Sequence, residues 1–547
     1  MTQLTYPQQP VHHILKGSAK RYGERLVLID QEEHLTYEQL YNDSLRFARA
    51  LVRIGIEKGD VVCVHLPNCS SFLIAYYGTL MSGATFTPAN PLLSEDELSH
   101  QLNDARARVI ITSNPAVSFE ETCIEQIIYV GDEGVEGLNL KQLLQQEEAI
   151  PVAVNIDVEN DLAHIAYTGG TTGRSKGVML THANVVTNVV QSCCFTNGGV
   201  AEVEDEAIVL NELPGDKEKY AIPFGTGRLL NVTPWYHAMG TVGYLNNVLL
   251  QGSTIILAKR FEPKAFLEAI TYHQVTTVGG AAPMFHALIN VPGIEKMDLS
   301  SVKQVRSGAS PISKVALEKL KGIFRNATVT EAYGLSEATM MLTSNPAEIG
   351  GKTKAGSVGI PTYDTEIRIV KEDGSEAETG EVGEVAGKGP QIMQGYLNNP
   401  DETAIALRDG WLYTGDLGYV DDEGYVYIVD RKKDLILYKG YNVYPKELEE
   451  ILYRHPEVAT VAVVGVPHEI NGEIPVAFVV LKNDQSTEQM KQALMGYVND
   501  QVTPYKKIRE VAFVKELPTS GAGKILKRAL RDRASEWLKQ QEKSSHS

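Results

Sequence analysis

Cysteine is scarce in this chain and carries no pattern. The five thiols, Cys63, Cys69, Cys123, Cys193 and Cys194, form no CxxC and no regular spacing, which argues against a disulfide framework or a zinc site and for a reducing, cytoplasmic setting. Neighbouring Cys193 and Cys194 read as small buried hydrophobes. A long apolar run is missing too: no 18-residue stretch could span a bilayer as a helix. The first residues lack a basic-then-apolar leader, and the closing Ser545–Ser547 tripeptide is not a peroxisomal Ser-Lys-Leu. Excess positive charge is also absent. With 51 Lys+Arg against 69 Asp+Glu the net charge is −18, so neither nucleic acid nor an anionic membrane is an expected partner. Internal repeats and low-complexity tracts are not seen.

What is present is length, ordinary composition and one unusual loop. At 547 residues, 43% apolar and 22% charged, the chain can bury a large core and divides into more than one domain. The segment YTGGTTGRSKGV (167–178) follows the apolar stretch 162–166. A strand opening into glycines and hydroxyls can aim N–H and O–H donors at a polyphosphate, since glycine removes the Cβ that would block close approach. No register of it supplies GxxxxGK[ST] or GxGxxG, so neither the Walker nor the Rossmann loop is meant. The plain alternative is a polar surface loop.

Helix and strand signals alternate, which predicts an α/β fold with mostly parallel sheets. Thr36 and Gln39 form a capping box for a helix over 37–54, with Leu40, Phe47, Leu51 and Ile54 on one face, and a strand is expected at 61–66. Ser94 and Glu97 cap a helix near 96–105, ahead of a strand at 108–112. A Gly- and acid-rich stretch, 195–230, interrupts the rhythm before a strand at 229–233 and reads as a long functional loop. The texture changes again near Asp430: a helix over 445–453, strands at 460–466 and 476–481 and a helix near 487–498 make a compact α+β unit. The expected division is therefore a large domain, 1–430, of mixed α/β sheets and a small α+β domain, 431–547, joined at 430–434.

Six further segments stand at large separations: TPWYHAMG (233–240), SGASP (307–311), EAYGLSE (331–337), YTGD (413–416), DRKKDLI with KGYN (430–442), and PTSGAGKI (518–525). Together with the opening loop, in this order and spacing, they resemble the adenylate-forming superfamily of acyl-CoA synthetases, 4-coumarate:CoA ligases, luciferases and peptide-synthetase adenylation domains. The resemblance covers about residues 10–535 and is nearest to fatty-acid:CoA ligases. It implies a two-step reaction, in which a carboxylate attacks the α-phosphorus of MgATP and a thiol, normally that of coenzyme A, then takes the acyl group.

The resemblance also assigns roles. Thr168, Gly170, Thr171, Thr172 and Lys176 match the cradle for the β- and γ-phosphates. Ser336 matches an α-phosphate ligand and Glu337 a Mg²⁺ ligand, which by itself would read as a solvated carboxylate. Within the motif that also holds Glu331, Ala332 and Gly334, Tyr333 is expected to stack on adenine, with Gly308, Ala309 and Ser310 as the opposite wall. Asp416 should bind the ribose hydroxyls, helped by Arg431; alone it would read as a turn former. Lys524 is expected to bridge the carboxylate and α-phosphate, and Lys433 to mark a hinge whose rotation exchanges Lys524 for Lys439 and Gly440 beside the pantetheine arm. His237 stands at the mouth of the acyl pocket, for which gating is favoured over acid–base work.

Some positions depart from the family pattern: Gly169 and Ser175 in the loop, Asn442, Ala522 and the long 195–230 stretch, which is expected to fold over the acyl or thiol entrance. His237 replaces the Asp that amino-acid-activating relatives use, and Tyr236, Met239, Ala309, Leu335 and Met340 are mostly apolar. The favoured reading is thus an ATP-dependent, AMP-forming acyl-CoA synthetase acting on a fatty acid, with ATP, Mg²⁺ and coenzyme A as cofactors and a homodimer as an open expectation. An aryl-acid:CoA ligase, an enzyme loading a carrier-protein thiol and a catalytically silent nucleotide binder remain as alternatives.

Overall fold

The computed structural model describes residues 4–31, 33–131, 137–168, 174–468, 470–483, 486–520 and 524–534. Among the described residues the larger part of the chain builds three sheets. In the first, Gly395–Tyr396, Lys176–Thr181, Leu162–Thr168, Thr85–Pro88, Val61–His65, Ala107–Thr112, Gln126–Tyr129 and Leu138–Asn139 lie side by side. The second runs Ile360–Pro361, Thr343–Ser344, Thr328–Tyr333, Gln304–Ser307, Thr277–Gly280, Arg228–Asn231, Thr254–Leu257, Leu26–Ile29 and His34–Thr36. Most interior strands are parallel, as alternating helix and strand signals predict, with antiparallel pairs where Lys176–Thr181 meets Leu162–Thr168 and Thr343–Ser344 meets Thr328–Tyr333.

Local sequence explains where elements start. Both expected capping boxes form, Thr36 with Gln39 opening Tyr37–Arg53 and Ser94 with Glu97 opening Glu95–Ala105. The helix Ser70–Met81 is apolar on all sides because the main core encloses it, together with the buried helix His182–Asn197, which holds Cys193 and Cys194. No described helix is long and apolar enough to cross a membrane.

The stretch 195–230 is not an open loop. The helix His182–Asn197 runs into it, and Val200–Glu204 pairs with Ala207–Asn211 as a hairpin. The hairpin sits on the helix His13–Tyr22, where Gly17 lets it approach: a Cβ there would stand 1.9 Å from the Ile208 carbonyl oxygen. Its acids meet that helix's cations, Lys16–Glu206 at 2.8 Å, Lys20–Asp205 at 2.7 Å and Arg21–Glu204 at 2.7 Å. Buried Asp216 then accepts the N–H groups of Gly199 and Leu213. The acidic composition serves docking to a basic helix.

A third sheet contains Glu366–Val370, Gly383–Lys388, Trp411–Val420, Leu407–Arg408 and Val426–Arg431. After a single helical turn, Lys432–Asp434, the chain enters a separate sheet of Tyr441–Val443, Ile436–Tyr438, Gly472–Leu481, Val458–His468 and Glu510–Phe513. Helices Pro445–Leu452 and Glu488–Asn499 cover one face of it, and helical residues 527–534 cover the other through Leu530 and Ala534. The small unit stacks its Tyr453 on His286 of the large one, ring centroids 4.6 Å apart and nearly coplanar.

Candidate active site

The opening loop is framed by two antiparallel strands in which Thr168 faces Lys176. Gly169, Gly170, Thr171 and Thr172 lie outside the described residues. Lys176 reaches the Glu402 carboxylate at 2.8 Å and holds its ammonium 4.5 Å from the centre of the Tyr396 ring. Tyr396 in turn donates its hydroxyl to Glu337 Oε1 at 2.8 Å. Burial, and then the Glu337 charge, push the Tyr396 phenol far up, so it stays a donor. Neither Tyr396 nor Glu402 was singled out by the sequence. Both come to the site through Gly395–Tyr396, which pairs with Val178 and Met179 across more than two hundred residues.

Tyr333 ends the strand Thr328–Tyr333 and donates its hydroxyl to Asp416 Oδ2 at 2.7 Å. Asp416, 5% exposed, gives its other oxygen to Arg431 Nε at 3.1 Å. Asp416 and Arg431 stand opposite each other on paired strands, a register that makes the ion pair local. The Asp416 carboxylate raises the Arg431 pKa, with burial opposing. Each carboxylate oxygen has a second lone pair, so further donors can join.

The turns beside this pair are strained. Ala309 has φ +62° and Thr339 φ +62°, a backbone region unfavourable to alanine and more so to a β-branched residue. Ser310 holds the first of these turns, its N–H on the Gly308 carbonyl at 2.7 Å and its Oγ accepting from Ala282 N–H at 3.1 Å. Thr339 Oγ1 holds the second through the Gln391 carbonyl at 2.7 Å. Between them, Ala332 lies on the strand, and Gly334 is required by contact: a Cβ would fall 1.7 Å from the Met340 carbonyl oxygen. Ser336 and Glu337 follow in a single helical turn.

Lys524 comes to this cluster from the small unit. Ser520 brackets its backbone, accepting from Lys524 N–H through Oγ and donating its own N–H to the Lys524 carbonyl. The residue keeps an exposed surface, yet protein crowds its ammonium. That crowding, and then the Arg431 charge, lower its pKa, with Asp416 and Glu337 opposing. Lys433, in the turn between the units, is likewise lowered by burial and Arg431. The bases of the Lys524 segment are tied down by Lys527–Glu449 at 2.8 Å and by Arg531 on Asp434.

His237 is half-buried, and its Nε2, shut off from solvent, has no partner among the described residues. Burial, then nearby Lys524, bring its pKa to about 4. It is therefore neutral at neutral pH, which suits gating better than proton transfer.

Two expected residues stand apart. Lys439, at φ +51°, and Gly440, at φ +81°, form the exposed tip of the hairpin between Ile436–Tyr438 and Tyr441–Val443. Lys439 packs near Tyr438 and bonds Asn471, while Lys524 occupies the neighbourhood of Asp416. Glu331 lies at the contact between the two units. Its carboxyl is buried among Lys446 and Glu450 of the small unit and Lys314 and the Gly356 N–H of the large one, a domain contact.

Burial raises the Glu331 pKa from 4.5 to about 7. The folded protein then retains a proton, between these values, that the unfolded chain has released. Stability from this group is full below pH 4.5 and falls as pH rises through about 7. Glu331→Gln is expected to flatten this decline, on the order of 2–3 kcal/mol, in denaturant midpoints measured from pH 5 to 8. An unchanged slope would refute it.

Comparison with known proteins places this geometry. The model of the AMP-binding enzyme family matches residues 15–397, and that of the AMP-binding enzyme C-terminal domain matches 447–524. A long-chain-fatty-acid–CoA ligase of Bacillus subtilis (strain 168) is 34% identical, covering 98% of this chain and 96% of its own. A 4-coumarate–CoA ligase 2 of Solanum tuberosum is also 34% identical, covering 96% and 94%. Among solved structures, ATP-bound MatB from Rhodopseudomonas palustris superposes with a TM-score of 0.84 at 26% identity, covering 96% of this chain and 99% of that one. With both family models matched in order, and with relatives at this identity along almost its whole length, the chain belongs to the AMP-binding enzyme family.

Proposed function

We propose that this chain is an ATP-dependent, AMP-forming acyl-CoA synthetase. A carboxylate oxygen attacks the α-phosphorus of ATP, pyrophosphate leaves, and the sulfur of coenzyme A then attacks the acyl carbon and releases AMP. The observation that carries the reading is the placement of Lys524, supplied by the small unit, in the field of Asp416, Arg431 and Glu337 of the large one. Charge grows on the α-phosphoryl oxygens and on pyrophosphate, so fixed cations there lower the barrier.

Lys176, with Thr168 and the loop hydroxyls, takes the β- and γ-phosphates, exchanging Glu402 for them. Asp416 and Arg431 hold the ribose, Tyr333 and the turn Gly308–Ala309–Ser310 flank the base, and Ser336 meets the α-phosphate. Glu337 is the Mg²⁺ ligand: one carboxylate, steadied by Tyr396, suits a cation that takes its other oxygens from phosphates and water. Bound there, Mg²⁺ would neutralise phosphate charge. Lys433 is the pivot, and rotation about it would withdraw Lys524 and present Lys439 and Gly440 for the second step. The five free thiols fit a cytoplasmic enzyme.

Fatty acids are the favoured substrates, in keeping with the Bacillus subtilis relative and the apolar Met239 and Met340 that face Gly308 and Gly243. ATP–pyrophosphate exchange across fatty, aryl and dicarboxylic acids, followed by CoA-dependent thioester detection, tests the proposal. Exchange with at least one acid and a thioester product are expected. No exchange with any acid would overturn it.

A further inference from the structure

The π-helical segment Met239–Asn246 crosses the strands Thr277–Gly280 and Gln304–Ser307 where glycines make room for it. Met239 Sδ would stand 3.3 Å from a Cβ on Gly308, and the Tyr244 hydroxyl 2.0 Å from one on Gly279. Arg306 pairs with Gly279 across the sheet and stands two residues before Gly308, about 7 Å along the strand. Its side chain lines a cavity of about 20 Å³ shared with Tyr244, Gln251, Ile222, Leu229 and Val248. That is room for one compact polar group.

Arg306 is half-buried and has no counter-ion among the described residues. Its Nη2 donates to two neutral amide oxygens, Asn197 Oδ1 at 2.8 Å and Gln304 Oε1, while Arg306 Nε and Asn197 Nδ2 have no described partner. The groups whose charge could favour its ionised form are Tyr244 and Cys193, and burial pushes both away from ionisation. The C-terminal end of the helix His182–Asn197 offers roughly half a negative charge. A half-buried cation whose Nε–H is shut off from solvent and unpartnered, beside an equally unpartnered Asn197 amide, calls for an acceptor.

We propose that the acyl channel ends at Arg306 and that the acid activated here carries a second anionic group. The substrate class is a dicarboxylic fatty acid, whose distal carboxylate accepts from the free Arg306 Nε–H and the Asn197 amide. One carboxylate is activated under His237 and Lys524, and the other pairs with the guanidinium in the cavity. The inference rests on the acyl-CoA synthetase reading above and narrows its substrate.

The test is pyrophosphate exchange with α,ω-dicarboxylic acids and with monocarboxylic acids of equal length, for the native enzyme, Arg306→Met and Arg306→Lys. At the best length the native enzyme is expected to favour the diacid in kcat/KM. Arg306→Met should lower the diacid-to-monoacid ratio by about a hundredfold or more, and Arg306→Lys should recover part of it. Thermal unfolding supplies an independent readout. The diacid should raise the native Tm and not that of Arg306→Met, and Arg306→Met alone should be no less stable than the native enzyme, since it removes a half-buried charge that has no counter-ion and an unpartnered Nε–H. Exchange with monoacids preferred at every length, or a ratio untouched by Arg306→Met, would overturn this inference while leaving the synthetase reading intact. A lowered Tm in Arg306→Met, with no diacid effect on the native protein, would make the arginine structural and likewise overturn it.

Discussion

Replacing Lys524 with alanine is expected to slow acyl-adenylate formation by a hundredfold to a thousandfold, ~3–4 kcal/mol of barrier, while thioester formation from preformed adenylate proceeds at close to the native rate. The asymmetry follows from placement. Lys524 stands in the field of Asp416, Arg431 and Glu337, while Lys439 and Gly440 lie on an exposed hairpin tip of the same unit. On the reading proposed above the small unit is arranged for the first step, and a residue used only there leaves the second untouched. Stopped-flow pyrophosphate release and single-turnover thioester formation from synthetic adenylate separate the two. Equal losses in both would contradict a rotating unit.

Trp235→Ala is expected to destabilise the large unit by ~3–5 kcal/mol, read as a drop in its denaturant midpoint. Trp235 is fully buried, with its ring 5.6 Å from that of Phe72. Its backbone is latched as well, N–H to Asn68 Oδ1 at 2.8 Å and carbonyl to the Thr241 hydroxyl. Alanine keeps the latch and leaves a hole beside Phe72. Because the indole Nε1 has no described partner, Trp235→Phe should restore most of the loss. A fall below about 1 kcal/mol for the alanine variant would mean that the site collapses around the gap.

Sequence reading went furthest where the physics is local. Capping boxes at Thr36 and Ser94 depend on four consecutive residues, and the buried strand Val61–His65 on its own β-branched run. It failed where a partner lies far along the chain. The acids of 195–230 read as a loop because their cations, Lys16, Lys20 and Arg21, sit some 185 residues earlier. Glu331 is expected at the nucleotide because it belongs to the Tyr333 motif, and the charges around its carboxyl, Lys446 and Glu450, could not be read from that motif. Tyr396 and Glu402 carry no motif signal, since only strand pairing brings them to Lys176. Arg306 carries no motif signal, and its lack of a counter-ion among the described residues shows only in three dimensions.

The pairing of Lys176 with Glu402 bears on how a catalytic cycle ends. A lysine with a carboxylate to return to grips a departing polyanion less firmly than a bare one, because each step of release is met by a replacement contact. If Lys176 holds phosphate as proposed above, the Glu402 side chain on the helix Pro400–Ala406 would be an internal stand-in for it. It would trade affinity in the loaded state for turnover, easing the escape of the leaving group.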